Sequence, residues 1–203
     1  MKSLSEIETT SKRATKAAGF SWGIAEEVGK GIRLLELFGF AGIKNLNEYY
    51  KSRSSKKFEN LNLINENNNS DKFPFCPIIL GISFLDQIRT LENFNKIRFN
   101  EISYPLLILP FLSRSSEIIG KKINLKFDQY EVLLNLNVNI SSNLSNQECP
   151  IISNITEINI LENEDSFSDQ DWKSLYKLSE ETFVEETDSL KQGAAGAGLT
   201  DND

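Results

Sequence analysis

Alternation of apolar and polar residues between 123 and 140 constrains the fold of this chain more than any other sequence feature. Apolar residues occupy every second position over 123–127, a turn is expected at 128–129, and the alternation resumes over 130–140. A period of two places every second side chain on the same face of a strand. The pattern predicts an antiparallel hairpin with its apolar side chains facing a core and its asparagines facing solvent.

Helix signals dominate the first 50 residues. A capping box begins at Ser3, and Gly19 is a typical C-terminal stop. Ser21 is placed to cap a second helix that ends at Gly39, and a short third helix is predicted over 43–50.

The remaining segments give mixed signals. We predict a linker or long surface loop over 51–74, a helix over 78–88, a strand over 97–104, a helix over most of 105–119 that ends at Gly120, a strand over 156–161, and a last helix that a capping box opens at Ser168. The strand–helix alternation of a parallel sheet is missing from this pattern.

These signals predict the α+β fold class, with an N-terminal helical pair, a small antiparallel sheet and a C-terminal helix with an extended Gly/Ala-rich tail. A length of 203 residues is typical of a single domain. Within residues 1–203 we expect a helical part at 1–50, a loop at 51–74, a mixed part at 75–161 and an acidic helix with its tail at 162–203.

Composition excludes several classes of function. The chain has no histidine, which rules out Ser-His-Asp triads, Cys-His dyads and histidine-ligated metal sites. Its net charge of −7 argues against a nucleic-acid partner. Two cysteines, Cys76 and Cys149, are too few for a zinc site, and we expect reduced, inert thiols, with one disulfide as the alternative. We therefore expect no metal site, and the sequence identifies no cofactor.

Charge and hydropathy also bear on location. Residues 1–57 hold eleven basic and six acidic residues, whereas residues 162–203 hold three basic and twelve acidic residues. The two ends can therefore attract each other, within or between chains, or the acidic end is a solvated tail. The polar start resembles no signal peptide, and the apolar runs are too short to span a membrane. We expect a cytoplasmic protein with no membrane contact.

The segment 19–29 carries the first group of candidate binding residues, namely Trp22, Gly23, Glu26 and Glu27. Glycines within a helix allow another backbone or a ligand to approach closely. Glu27 is also a candidate catalytic base. Alternatively, both glutamates are solvated, with Glu26 paired to Lys30, and Trp22 is a core residue.

Two further candidates lie in the middle of the chain. Arg114 follows an apolar run and either binds an anionic ligand or forms a structural ion pair. Asp86, within an otherwise apolar helix, is the second catalytic candidate because we expect it to be semi-buried.

The tail carries the last group of candidates. Its glycines follow no phosphate-loop spacing, and its oxygen ligands are either suited to a hard cation or part of a frayed terminus. As a ligand- or partner-binding segment it contributes Ser189, Gly196, Gly198, Thr200, Asp201, Asn202 and Asp203. We expect it to lie in the glycine-lined cleft of the second helix, near Gly23, Ala25 and Gly29, or to reach into a partner.

Two segments of the chain resemble an uncharacterised bacterial family of about 200 residues, a domain of unknown function. They are SWGIAEEVG at 21–29 and GAGLTDND at 196–203. The resemblance implies no activity, but it implies that the tail is a feature of the family. Leu190 follows Ser189 where the family has a basic residue, which weakens an anion-binding role there.

Two function classes remain open. One is an accessory or binding subunit of a metabolic enzyme complex, in which the basic N-terminal helices and the acidic end hold a protein partner. The other is a small histidine-free enzyme, which would use carboxylate acid–base groups near the helix pair and the tail to act on a small molecule.

Overall fold

The structure is a computed structural model that describes residues 2–136, 139–144, 149–162 and 164–182. The chain divides into two units, Met1–Asn163 and Glu164–Asp203.

The first unit contains five α-helices and eight strands in its described residues. The helices are α1 Leu4–Ala17, α2 Trp22–Leu37, α3 Gly42–Ser52, α4 Pro77–Leu91 and α5 Leu109–Ile119, with a 3-10 helix at Pro105–Ile108. The strands are β1 Asn67–Asn68, β2 Lys96–Phe99, β3 Ile102–Ser103, β4 Lys122–Phe127, β5 Tyr130–Asn135, β6 Asn139–Ser142, β7 Ile152–Ser153 and β8 Thr156–Leu161. The second unit contributes α6 at Asp169–Glu180.

The predicted helix boundaries at the N-terminus are confirmed. The Ser3 side chain accepts a hydrogen bond from the Glu6 amide at 3.1 Å, and Ser21 caps α2 in the same way. Gly19 and Gly39 follow α1 and α2 with positive φ of 96° and 77°. Because only glycine adopts this backbone region without strain, both positions end their helices.

The predicted hairpin is confirmed, but its second strand is shorter than expected. Ile123 pairs with Leu134 and Leu125 with Val132, and all four are fully buried. The strand does not run on to residue 140, because β5 ends at Asn135 and Leu136 has a positive φ of 53°. The chain reverses there, and β6 pairs antiparallel with β5.

The strands assemble into one six-stranded sheet and one two-stranded sheet. The larger sheet has the order β1-β2-β8-β4-β5-β6, and the smaller one pairs β3 with β7. All pairs of the described strands are antiparallel except β1 with β2. The predicted α+β class is confirmed, and the sheet is mixed rather than wholly antiparallel because of the β1–β2 pair.

That parallel pair lies within the segment predicted as a linker or surface loop. Asn68 of β1 pairs with Phe99 and is 5% exposed, and Ile64 just before it belongs to the core. The Asn68 side chain bonds the backbone of Asn65 and Arg98, so buried amides hold this irregular segment against the sheet.

Helices α4 and α5 form the centre of the core. Gly81 of α4 lies so close to Phe111 of α5 that a Cβ there would be 2.2 Å from the ring. The prediction of a helix over most of 105–119 is confirmed, with a 3-10 helix at Pro105–Ile108 followed by α5. Pro110 is compatible with α5 because it lies in the first turn, where no backbone donor is lost. No helix in the described ranges is long and apolar enough to cross a membrane.

Candidate functional site

A cleft of about 520 Å³ between α2 and α5 is the candidate site, and it contains two of the predicted residues, Glu27 and Arg114. Its volume lies within the range of small-molecule pockets. Its wall combines charged and apolar side chains: Glu27, Lys30, Gly31, Arg33, Leu34, Leu37, Pro110, Phe111, Arg114 and Glu117.

Glu27 holds the two helices together at this cleft. One carboxylate oxygen accepts a hydrogen bond from Lys30 at 2.9 Å, and the other accepts from Arg114. The Glu27 side chain is 22% exposed, so this ion pair between α2 and α5 is partly sheltered from water. Of the two alternatives for Arg114, the structure shows the ion pair.

Glycine brings the helices close enough for that contact. A Cβ at Gly31 would lie 3.0 Å from Pro110, one turn along α2 from Glu27. Arg33 also lines the cleft, but it pairs with Glu8 of α1 at 3.3 Å. Glu117 was not predicted; its position three residues after Arg114, on the same side of a helix, is the signal that identifies it.

One alternative for Glu26 was an ion pair with Lys30. The structure does not show this pair. The Lys12 ammonium of α1 donates to Glu26 at 2.5 Å instead, because Lys30 is engaged by Glu27. This hydrogen bond lowers the pKa of the Glu26 carboxyl below its usual value.

Trp22 is not a core residue. Its side chain is 55% exposed at the first position of α2, where Lys12 and Lys16 place their ammonium groups 5.8 and 5.5 Å from the ring centre. These are cation–π distances. Trp22, Glu26 and Lys12 therefore form one surface cluster, separate from the contacts of Glu27. Gly23 follows Trp22 in α2, and no other side chain or neighbouring helix lies within 4 Å of the position that a Cβ would take there.

The glycine-lined cleft proposed for the tail is already filled by α1. Ala25 is fully buried, and a Cβ at Gly29 would lie 2.8 Å from the backbone oxygen of Glu8. These small residues thus serve the packing of α1 on α2 and leave no groove for a ligand at that place.

Asp86 is not semi-buried either. It lies on the solvent side of α4 and is exposed, whereas Ser83, Phe84 and Ile88 are buried. An exposed carboxylate lacks the desolvation that would prepare it for acid–base catalysis, so the geometry gives Asp86 no catalytic setting.

Both cysteines are free, as expected. The Cys76 thiol is buried, caps the amide of Ile79 in α4 and lies 2.9 Å from the Tyr49 hydroxyl. Burial raises the pKa of Cys76, and it raises that of Cys149 to about 12. Both thiols are therefore kept in the unreactive protonated form.

The predicted C-terminal helix is confirmed, and its apolar residues are exposed. Ser168 and Asp171 form the complete capping box. Four large side chains are 51–62% exposed, namely Trp172, Leu175, Tyr176 and Leu178, and Phe167 stacks on Trp172 with ring centres 5.8 Å apart. The tail candidates at 189–203 lie outside the described residues.

Within the described ranges, no three acidic or cysteine side chains come together in a group that could hold a metal ion.

Residues 2–74 match the model of a family described as a protein of unknown function (DUF3726). The predicted resemblance to a domain of unknown function is confirmed for this part, which includes the segment 21–29 and ends just before α4. The segment 196–203 lies outside the match. No curated protein and no solved structure matches the chain.

Proposed function

We propose that this protein is an accessory or binding subunit of a metabolic enzyme complex and that α6 is its contact to other chains. The observation that carries the proposal is the apolar face of α6. Trp172, Leu175 and Tyr176 recur at intervals of three and four residues, which aligns them on one side of the helix.

A helix of this kind is typical of binding in the groove of another protein. Its apolar anchors enter the groove, and the charges beside them set the orientation. Described residues 164–182 hold six acidic and two basic residues. The complementary partner is therefore a protein that offers an apolar groove with basic side chains at its rim.

Site-specific cross-linking in the native cell tests this proposal. A photoreactive amino acid is placed at position 172 or 176 on the apolar face, and at position 170 or 174 on the opposite face as the matched control. We expect one discrete adduct from the apolar face only, and its mass spectrum identifies the partner. Equal adducts from both faces, or none, contradict the proposal.

The tail enters the same proposal as a second segment that contacts the partner. Ser189, Gly196, Gly198, Thr200, Asp201, Asn202 and Asp203 are its proposed contacts. Deletion of residues 194–203 should then reduce the yield of the 172 adduct while the circular dichroism spectrum stays unchanged. An unchanged yield removes the tail from the partner surface.

The second candidate is a histidine-free enzyme, and the observation in its favour is the α2–α5 cleft. Glu27 lies there between Lys30 and Arg114, within reach of a small molecule that enters the cleft. A metabolite that raises the melting temperature of the wild type, but not of Glu27→Gln, supports this candidate. The surface variant Glu26→Gln is the control, since Glu26 pairs with Lys12 instead.

A further inference from the structure

We propose that the apolar face of α6 binds the groove between α1 and α3 of a second copy of this chain, so that two copies exchange their C-terminal helices. This inference rests on one part of the proposed function, the role of α6 as the contact to other chains, and it names a second copy of this chain as the one that α6 binds.

The groove has a volume of about 400 Å³. Ile43 of α3 is 45% exposed at its rim, whereas Leu46 is buried beneath the surface. Its lining is mostly apolar or small: Lys2, Glu6, Ile7, Thr10, Ser11, Ala14, Ile43, Leu46, Asn47 and Tyr50. The exposed isoleucine and the small residues opposite it leave a shallow channel along two helices, which suits a third helix with large anchors.

The face of α6 offers large apolar side chains. Trp172 and Tyr176 are one turn apart and half exposed, with Leu175 between them. Aromatic side chains of this size each bury about 150–250 Å² when they are covered. A shallow apolar channel and a row of large apolar side chains are thus present on the same chain.

Charge complementarity favours this channel as the binding site. Arg13 of α1 and Lys44 and Lys51 of α3 are next to lining residues in their helices, as is the acidic Glu48 of α3. None of these four side chains forms an ion pair within the described ranges, so together they leave an unpaired charge of +2 beside the groove. Asp169 and Glu180 of α6 likewise have no ion-pair partner among the residues that are described. Basic groups beside the groove and acidic groups beside the helix attract each other across the contact.

Symmetry explains why a second copy suits this contact. Each chain offers one helix and one groove, so a reciprocal exchange closes as a two-fold dimer with two identical contacts. One helix in one groove makes a small interface. Two such contacts bring the total toward the roughly 1,200–2,000 Å² of stable interfaces.

The oligomeric state of the purified full-length chain tests the exchange. The mass of one chain is 23.0 kDa. We expect light scattering and sedimentation to give twice this mass at about 100 µM protein. Trp172→Glu on the helix and Ile43→Arg in the groove should each raise the dissociation constant at least about tenfold. A wild type that stays monomeric at that concentration overturns the inference.

Matched variants separate a lost contact from a lost fold. Ser174→Glu changes the opposite face of α6, and Ile118→Arg changes an isoleucine of α5 that is 38% exposed outside the groove. Both controls should remain dimeric. If they dissociate as readily as the two test variants, the association does not depend on this helix and groove, and the inference is wrong.

Mixing the two test variants tests directly whether the helix of one copy binds the groove of the other. Ile43→Arg keeps an intact helix, and Trp172→Glu keeps an intact groove. The mixture should therefore form a heterodimer with one contact, although neither variant dimerises alone as the wild type does. Failure of the mixture to associate, while both variants keep the wild-type circular dichroism spectrum, contradicts the exchange.

This outcome is distinguishable from failure of the proposed function. A monomeric protein whose position 172 cross-links to a different protein overturns the exchange but supports the role of α6 in a complex. A dimer that both test variants disrupt, with cross-links to itself alone, supports the exchange and contradicts the accessory role in an enzyme complex.

Discussion

Gly81→Ala should destabilise the first unit, because it forces a methyl group into the contact between α4 and α5. The added Cβ would lie 2.2, 2.6 and 2.8 Å from three ring carbons of Phe111. An unstrained contact between carbon atoms needs about 3.5–4.0 Å. The ring or the helix must therefore move by more than about 1 Å.

Phe111 has little room for such a movement. Its side chain is 3% exposed and belongs to the core cluster. Overpacking a core of this density costs about 1–3 kcal/mol, and more where the obstacle is rigid. Alanine recovers about 1 kcal/mol of helix propensity relative to glycine. The free energy of unfolding should therefore fall by up to about 2 kcal/mol relative to the wild type, and by about 1–3 kcal/mol relative to a glycine-to-alanine change that makes no clash.

Urea unfolding followed by circular dichroism at 222 nm measures this change. Gly23→Ala is the matched control, because no atom lies within 4 Å of its Cβ position on α2. The control should be neutral or slightly stabilising, since it gains propensity without a clash. A second variant, Phe111→Leu in the Gly81→Ala background, should recover part of the loss. If Gly81→Ala is as stable as the control, the close α4–α5 contact is not present in solution.

Three further results are expected. The free energy of unfolding should be level up to about pH 8 and fall above it. Burial raises the pKa of Cys149 and of Tyr50 to about 12, so the unfolded chain releases these protons first. Urea titrations between pH 7 and 11 that show rising stability would refute this sign. A double-mutant cycle of Glu27→Gln and Arg114→Met should give a coupling of about 0.2–1 kcal/mol, since Arg114 is 37% exposed and solvent screens the pair. A coupling indistinguishable from zero would show that the ion pair does not stabilise the α2–α5 contact. Ser168→Ala should reduce the helicity of α6, because it removes the acceptor for the Asp171 amide. Cα chemical shifts of α6 in the full chain measure this change, and unchanged shifts would exclude the capping role.

Local signals in the sequence determined most of the secondary structure. Ser3, Ser21 and Ser168 cap the helices that they were predicted to open, and the apolar residues of the β4–β5 hairpin face the core. These features depend on hydrogen bonds and periodicities that span a few residues. They can therefore be predicted from the sequence without knowing what packs against them.

The same local signals could not find the end of β5. Leu134 and Ile140 pair with each other across β5 and β6, and both occupy even positions in the alternation. When the chain reverses and the next strand keeps its apolar residues at even positions, the apolar–polar pattern continues in the sequence without a break. Whether such a pattern forms one strand or two is decided by the neighbours in the sheet.

Tertiary packing also decided the candidate site. Glu27 and Arg114 are 87 residues apart in sequence, and Gly31 brings their helices together against Pro110. A core position was the alternative for Trp22, but α1 presents Lys12 and Lys16 to its ring instead of apolar side chains. The sequence specifies which residues share a helix face. Which side chains pack against that face depends on helices and strands far away in the sequence. The spacing of residues within one helix carries no information about them.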